Sequence, residues 1–295
     1  MAVQNALVQH MKSGLTTVAR CWSVRRKDGV GFGFTDHDCD LVFEGITFRA
    51  ETGVTAAALD QSTGLSVDNT EALGALSDAS ISEKDIEAGR FDGAEVVCWL
   101  VNWANVAERS ILFRGAIGEL RRAGGAFHAE LRGLTESLNQ PMGRVFQKAC
   151  AAGEDCACRR NFSETPGYFD LRDVVDVTDN WILTWDNMAG FEPGWFQRGK
   201  LTVLSGEAVG LTGSIKADTF ADNKRIIELW EPIRAPLVPG DRVRLDAGTD
   251  GRFETCRLKF GNAVDFRGFP DIPGDDWMTA YPSRNGVNDG GSLRE

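Results

Sequence analysis

With 295 residues, 42% hydrophobic and 25% charged, the chain is long enough for a large core and about two domains, and its composition excludes wholesale disorder and a membrane bundle. A net charge of −11 and a pI near 4.9 give a surface that repels phosphate backbones, which disfavours sticky nucleic-acid binding and serves solubility. No apolar run approaches the roughly 18–20 residues that span a bilayer, and the longest, residues 96–106, is broken by Asn102 and Asn105, so no transmembrane segment is expected.

Met1-Ala2-Val3-Gln4-Asn5 lacks the basic start, apolar middle and cleavage site of a secretory signal, so synthesis and retention in the cytoplasm are expected. Residues 2–14 put Val3, Leu7, His10 and Met11 on one helical face with Gly14 as a stop, which predicts a short amphipathic helix. From Thr16 onward short β-type runs are punctuated by Asp28-Gly29, Glu44-Gly45 and Thr52-Gly53, which read as hairpin turns. Ser82-Glu83-Lys84-Asp85 has capping-box form ahead of Ile86, and Gly89 closes a helix of one or two turns. Strands resume at Ala94. The runs 111–121 and 126–132 flank Gly124-Gly125 as a hairpin in which Phe127, Ala129 and Leu131 share a face and His128 points the other way, into solvent.

Leu131, Leu134 and Leu138 predict a short helix that must end before Pro141, where a proline removes a donor and crowds the preceding turn. The domain boundary is placed there. Beyond it, Val243 and Leu245 alternate with Arg242, Arg244 and Asp246 after the turn Pro239-Gly240-Asp241, a β pattern again. Residues 283–292 show no periodicity and bury little, as expected of a tail. No repeat of 20–50 residues and no heptad array is present. The fold class expected is mainly β with short helices (α+β): a β-rich domain over residues 1–140, a second over residues 141–282 organised around a cysteine-ligated metal cluster, and a flexible tail over residues 283–295.

Seven cysteines are an odd number in a chain without an export signal, which argues against a full disulfide framework. Three of them, Cys150, Cys156 and Cys158, fall within nine positions, and Cys256 lies inside the same expected domain. Four thiolates complete either an iron–sulfur cluster or a tetrahedral zinc site, and spacing does not choose between them. Either centre carries a charge of about −2, and its surroundings are locally basic. Residues 141–160 hold Arg144, Lys148, Arg159 and Arg160 against Glu154 and Asp155, while near Cys256 Arg252, Arg257, Lys259 and Arg267 outnumber Asp250, Glu254 and Asp265. The alternative is four separate buried thiols packing as small hydrophobes, the role expected of Cys21, Cys39 and Cys98 in their strand-like runs.

Asp36-His37-Asp38 is the one suggestive histidine cluster, since a carboxylate can orient an imidazole for base or metal work. A turn or structural hydrogen-bonding role is the preferred reading, because no nucleophile elbow or zinc-protease motif accompanies it. Gly31-Phe32-Gly33-Phe34 lacks the third glycine and the following helix of a dinucleotide loop. Eight tryptophans, among them Trp181, Trp185, Trp195, Trp230 and Trp277, include candidate interface anchors, with core packing the default.

Longer motifs carry a resemblance. Thr255-Cys256-Arg257, Lys259-Phe260-Gly261-Asn262, Phe266-Arg267-Gly268-Phe269-Pro270 and Pro273-Gly274-Asp275 resemble the C-terminal signature of a phage-tail hub family found in prophages and gene transfer agents. Gly33-Phe34-Thr35-Asp36-His37-Asp38, Leu65-Ser66-Val67-Asp68-Asn69 and Asp85-Ile86-Glu87-Ala88-Gly89-Arg90-Phe91-Asp92 resemble its N-terminal half, so the likeness covers all but the tail beyond about residue 280. A remoter likeness to the minor tail protein L of siphophages implies an iron–sulfur cluster, expected as [4Fe-4S], in the C-terminal part. The resemblance implies Gly-Cys-Asp, the pattern of many relatives, where this chain has Gly248-Thr249-Asp250, so one usual ligand position is filled by Thr249 and a set of four needs both Cys156 and Cys158.

The resemblance implies a homotrimeric ring between tail tube and tip, through which DNA leaves as passing cargo. The expected partners are distal tail and tail-tip proteins, including a tail peptidase, and the expected location is the virion tail tip after assembly in the bacterial cytoplasm. No catalysis is expected. The alternatives are a tail-tip enzyme, either a cell-wall hydrolase near Asp36, His37 and Asp38 or a cluster-based redox protein, and a zinc-stabilised adaptor.

Overall fold

The computed structural model describes residues 2–14, 17–50, 69–72, 82–123, 126–133, 143, 145–151, 164–186, 188 and 190–273. Helix α1 (Ala2–Lys12) ends where Gly14 takes φ +79°, as the glycine predicts. Its inward face is narrower than expected. Leu7 is buried and His10 half-buried, with a 2.6 Å bond between His10 Nε2 and Thr17 Oγ1, but Met11 is half-exposed. The helix rests on strand β7, and Met11 lies in its last turn.

The first sheet comprises β1 (Val18–Arg25), β2 (Gly31–Thr35), β3 (Leu41–Phe43), β4 (Ile46–Arg49), β5 (Asn69–Ala72), β6 (Glu95–Asn102), β7 (Arg109–Ala123) and β8 (Ala126–Gly133), in the order β3-β4-β2-β1-β6-β7-β8-β5. Among the described residues only the β2–β4 pair of this sheet is parallel. The expected hairpins form at Asp28-Gly29, where Gly29 has φ +88°, and at Glu44-Gly45, where φ values of 52° and 72° match the twist of the flanking strands. Helix α2 (Glu83–Glu87) has its predicted cap, with Ser82 Oγ accepting from the Asp85 N–H at 3.1 Å and Gly89 at φ +70°.

Strands β1 and β6 are buried on both sides, which explains the unbroken apolar run at residues 96–101 of β6. Trp22, Val24, Val96 and Cys98 join Phe34, Phe91 and Phe113 on one face, while Cys21, Val97, Trp99 and Val101 join Leu41, Phe43 and Phe48 on the other. The β7–β8 hairpin is present as expected. Leu131, however, belongs to β8 and not to a helix: its side chain is buried opposite Ile117, and sheet pairing overrides the local leucine spacing. Leu134, Leu138, Pro141 and the expected boundary lie outside the described residues, as do Thr52-Gly53, the side chains of Val3 and His128, and residues 283–295.

The second sheet comprises β9 (Phe169–Asp173), β10 (Asp176–Thr178), β11 (Ile182–Asp186), β12 (Lys200–Val203), β13 (Thr212–Ala221), β14 (Lys224–Leu229) and β15 (Arg242–Asp246), antiparallel throughout in the order β10-β11-β14-β13-β12-β15-β9. Here alternation is clean. Leu183, Trp185, Leu201, Val203, Ile227, Leu229, Val243 and Leu245 point into one core and their neighbours point outward. Helix α3 (Phe253–Leu258) follows and contributes no buried residue. The chain is thus mainly β, with short helices and two sheets.

The two halves meet at α2. Ala88 is buried within the core of the second sheet, Arg90 donates to the Glu207 carbonyl at 2.6 Å, and Arg234 pairs with Asp92 at 3.2 Å. A groove of about 680 Å³ runs alongside, lined by residues of both halves including Lys27, Arg90 and Trp230.

Candidate functional site

Two segments remote in sequence are stapled together at the edge of the second sheet. The Cys150 N–H donates to the Gly251 carbonyl at 2.7 Å, and the Phe269 N–H donates to the Gln147 carbonyl at 2.9 Å. Gly268 lies so tightly on this ladder that an added Cβ would come within 2.6 Å of the Lys148 carbonyl oxygen, which is why a glycine is needed there. Phe146 and Phe269, with ring centroids 4.9 Å apart, and Phe253 and Phe266, edge to face at 5.1 Å, close the staple with apolar contacts.

The staple brings two of the four candidate ligands, Cys150 and Cys256, into one half-buried site. The Arg267 N–H points at Cys150 Sγ at 3.4 Å, and Cys256 Sγ donates to the Asn262 carbonyl at 2.9 Å. Burial pushes the Cys256 thiol above its ordinary value, and the proximity of Cys150 and Asp265 adds to the rise. Two neighbouring sulfurs, with a backbone N–H aimed at one of them, would repel each other as thiolates and so suit a shared cation, which would offset both that repulsion and the burial that disfavours the Cys256 thiolate. These two residues therefore fit thiolate ligation. Cys156 and Cys158 lie outside the described residues, and among the described residues no group of three His, Cys, Asp or Glu is placed to hold a metal ion. Thr249 accepts from the Gly251 N–H at 3.1 Å and so shapes the turn that receives Cys150.

A chain of polar contacts ties this site to the core. Arg225 and Asp218, both 0% exposed, form a paired guanidinium–carboxylate. Arg225 also donates to the carbonyls of Phe191 and Glu192 at 3.0 and 2.7 Å, and Asp218 accepts from the Phe196 N–H at 2.8 Å, so the ion pair fixes the 191–196 loop. That loop presents the Trp195 carbonyl to Lys259, whose ammonium donates to it at 2.5 Å and to the Gly248 carbonyl at 2.8 Å. Burial lowers the Lys259 amine to about 8 from 10.5, against the pull of Asp218, Asp250 and Glu192. Asp250, whose burial is outweighed by hydrogen bonds from the Arg252 N–H and the Thr255 side chain, is held below the usual carboxylate range at the start of α3.

The other candidate residues are employed structurally. His37 Nδ1 accepts from the Cys39 N–H at 3.0 Å and its ring stands edge-on to Trp103 at 4.9 Å, while Asp36 accepts from the Arg20 N–H at 2.6 Å. These bonds build the turn after β2, the preferred reading of that cluster. Cys21 and Cys98 are core residues as expected, but Cys39 is exposed: it sits in the bend after His37, outside any strand, so the expectation of a core filler is corrected. Trp185 is buried, Trp181 and Trp195 pack against the core, Trp230 is 64% exposed beside the groove, and Trp277 is outside the described residues.

The sequence alone passed over Arg225 and Asp218, and marked Lys259 and Asn262 only as a charge and as parts of a longer motif. Arg225 had a readable signal, since it shares the inward parity of Ile227 and Leu229 in β14, where a charged residue must find a buried partner.

Two family descriptions match the chain: "Baseplate hub protein, N-terminal attachment domain" over residues 4–158 and "Phage conserved hypothetical protein BR0599" over residues 194–276. Among solved structures, a chain of the virion of a native gene transfer agent (GTA) particle is 50% identical, with a TM-score of 0.88, and the match covers 98% of this chain and 99% of that chain. Comparison with curated proteins finds no match.

Proposed function

The chain belongs to the family of baseplate hub proteins, and on that premise we propose that it is a structural hub in the tail tip of a gene-transfer-agent-type virion. The observation that carries this reading is the 50% identity to a virion component over 98% of the chain. In the particle it forms a homotrimeric ring joining the tail tube to the tip, with distal tail and tail-tip proteins, a peptidase among them, as neighbours. DNA passes through the ring as cargo, and the net charge of −11 favours passage over arrest because an acidic lining repels phosphate. Residues 1–140 act as the attachment domain and residues 141–282 as the second hub domain, with no catalysis required of either. Mass spectrometry of purified particles tests the assignment: the chain is expected in tailed particles, and deleting its gene is expected to abolish DNA delivery. Particles that lack the chain and still deliver DNA would overturn it.

Cys150, Cys156, Cys158 and Cys256 are the residues to hold an iron–sulfur cluster, with zinc as the alternative, and such a centre would supply a metal–thiolate cross-link between the stapled segments. Binding energy of this kind is realised only on folding. The staple between residues 147–150 and 251–269 supports the reading, because it joins two ligands from distant stretches before any metal arrives. Elemental analysis and a visible spectrum of anaerobically purified protein separate iron from zinc. Cys256→Ser is expected to lower Tm by about 5 °C or more, since each kcal/mol moves a protein of this size by about 2–4 °C. An unchanged Tm would remove the structural role.

A further inference from the structure

Helix α3 carries Cys256 and is poorly equipped to hold it. It has six residues, no side-chain bond at its N-cap and no buried residue, and helices this short do not persist on their own backbone bonds. Asp250 holds its start through the Arg252 N–H, and what ties it to the second sheet lies three residues beyond Cys256. The Lys259 ammonium is held between the carbonyls of Trp195 and Gly248, with its charge 4.6 Å from the Trp195 ring centroid and 5.4 Å from that of Phe260. Neither anchor has slack. A Cβ on Gly248 would lie 1.7 Å from the Gln197 carbonyl oxygen, and the Gly248 N–H already donates to the Trp195 carbonyl at 3.1 Å. Behind Trp195 stands the Arg225–Asp218 pair that fixes its loop.

We propose that Lys259 is the positioning residue of the candidate metal site: its ammonium sets the register of the Cys256 turn against the second sheet, and so holds Cys256 beside Cys150. The inference rests on the reading of the cysteines as a metal site for its purpose, but not for its geometry. A solvent-facing lysine would pay no desolvation cost, whereas this one is half-buried and gives two of its three N–H donors to carbonyls on different stretches of chain. An ammonium so placed is a cross-brace of three segments, and charge-assisted bonds of this kind are the stronger class.

The test uses the full chain as wild type, Lys259→Met and Lys259→Arg. In metal-free protein, iodoacetamide labelling is followed by mass spectrometry at Cys256, with exposed Cys39 as the reference. Lys259→Met is expected to raise the Cys256 rate about ten-fold, as loss of charge-assisted hydrogen bonds lets the turn open locally, and to leave Cys39 unchanged. Zinc affinity, measured by chelator competition, is expected to fall about 10- to 100-fold in the same variant, the cost of losing support behind a ligand, and to recover in Lys259→Arg. A Cys256 rate within two-fold of wild type in Lys259→Met overturns the proposal, as does a zinc-binding chain whose affinity does not change. If wild-type protein holds neither iron nor zinc, the metal reading falls while the labelling comparison still decides the role of Lys259. Should Lys259→Met not fold, Lys259→Gln, which retains an amide donor too short for both carbonyls, takes its place in both measurements.

Discussion

Burial pushes the thiol of Cys21 up to about 11 and that of Cys98 up to about 12 from an ordinary 9.0; the Thr35 hydroxyl opposes the first shift and Arg20 the second. A thiol whose folded value is raised contributes stability that is complete below its unfolded value and is lost as pH climbs through the folded one. The window here runs from about 9 to about 12. Lys259 acts in the opposite sense, because the folded chain sheds its proton near 8 while the unfolded chain keeps it to 10.5. Comparison with Cys98→Ala separates the two: urea midpoints are expected to fall more steeply between pH 9 and 11 in the wild type than in the variant. Equal slopes would show that Cys98 does not titrate late.

At the same scale, the convergence of Cys150 and Cys256 was legible as a pairing of thiolates but not as a geometry, because nothing in a C-x5-C-x-C run says where a cysteine a hundred residues on will lie. The backbone ladder that joins them is made by Gln147, Gly251 and Phe269, residues with no chemical signature of their own.

Elements with local causes were the readable ones. Ser82 caps α2 because its hydroxyl reaches the Asp85 N–H, and Glu44-Gly45 turns because both residues accept positive φ. Alternation marked β15, where one face is wet, and failed to mark faces in β1 and β6, where both are covered. Leu131 misled for the complementary reason: a helical spacing of leucines carries no weight against a long partner strand. The parallel β2–β4 contact was invisible, since its signal is one small residue. Gly33 pairs with Phe48, and a Cβ there would meet the Thr47 carbonyl oxygen at 2.6 Å. Gly33→Ala must therefore part the two strands and disturb the Phe43–Phe48 stack beneath Trp99. A loss of about 1–3 kcal/mol is expected by denaturant titration, the usual cost of overpacking. A loss below about 0.5 kcal/mol, the scale of neutral surface changes, would show that the pair can relax.

For the molecule as a whole, family membership was readable from long motifs spread over both halves, while the way the halves join was not. The join depends on Ala88, the least conspicuous residue of its motif, entering the core of the second sheet while Arg90 and Asp92 tether its flanks. Ala88→Glu places a carboxylate in that core without a partner, a change that costs several kcal/mol or expels the group. The expected outcome is uncoupling: limited proteolysis of the intact chain speeds up about ten-fold, as the junction opens more often than either sheet unfolds. An unaltered digestion half-life would mean that the polar contacts of Arg90 and Asp92 suffice to hold the halves.

The staple between residues 147–150 and 251–269 also fixes how load travels. Because residues 145–151 precede the strands of the second sheet and residues 251–273 follow them, the ladder between the two segments closes the chain around all seven strands. Tension applied at residue 145 and drawn off at residue 273 crosses the clasp directly, and the strands between carry none of it until the clasp parts. Along that path the second sheet has a mechanical shunt at its neck, and the thiols of Cys150 and Cys256 sit where a rivet would be driven.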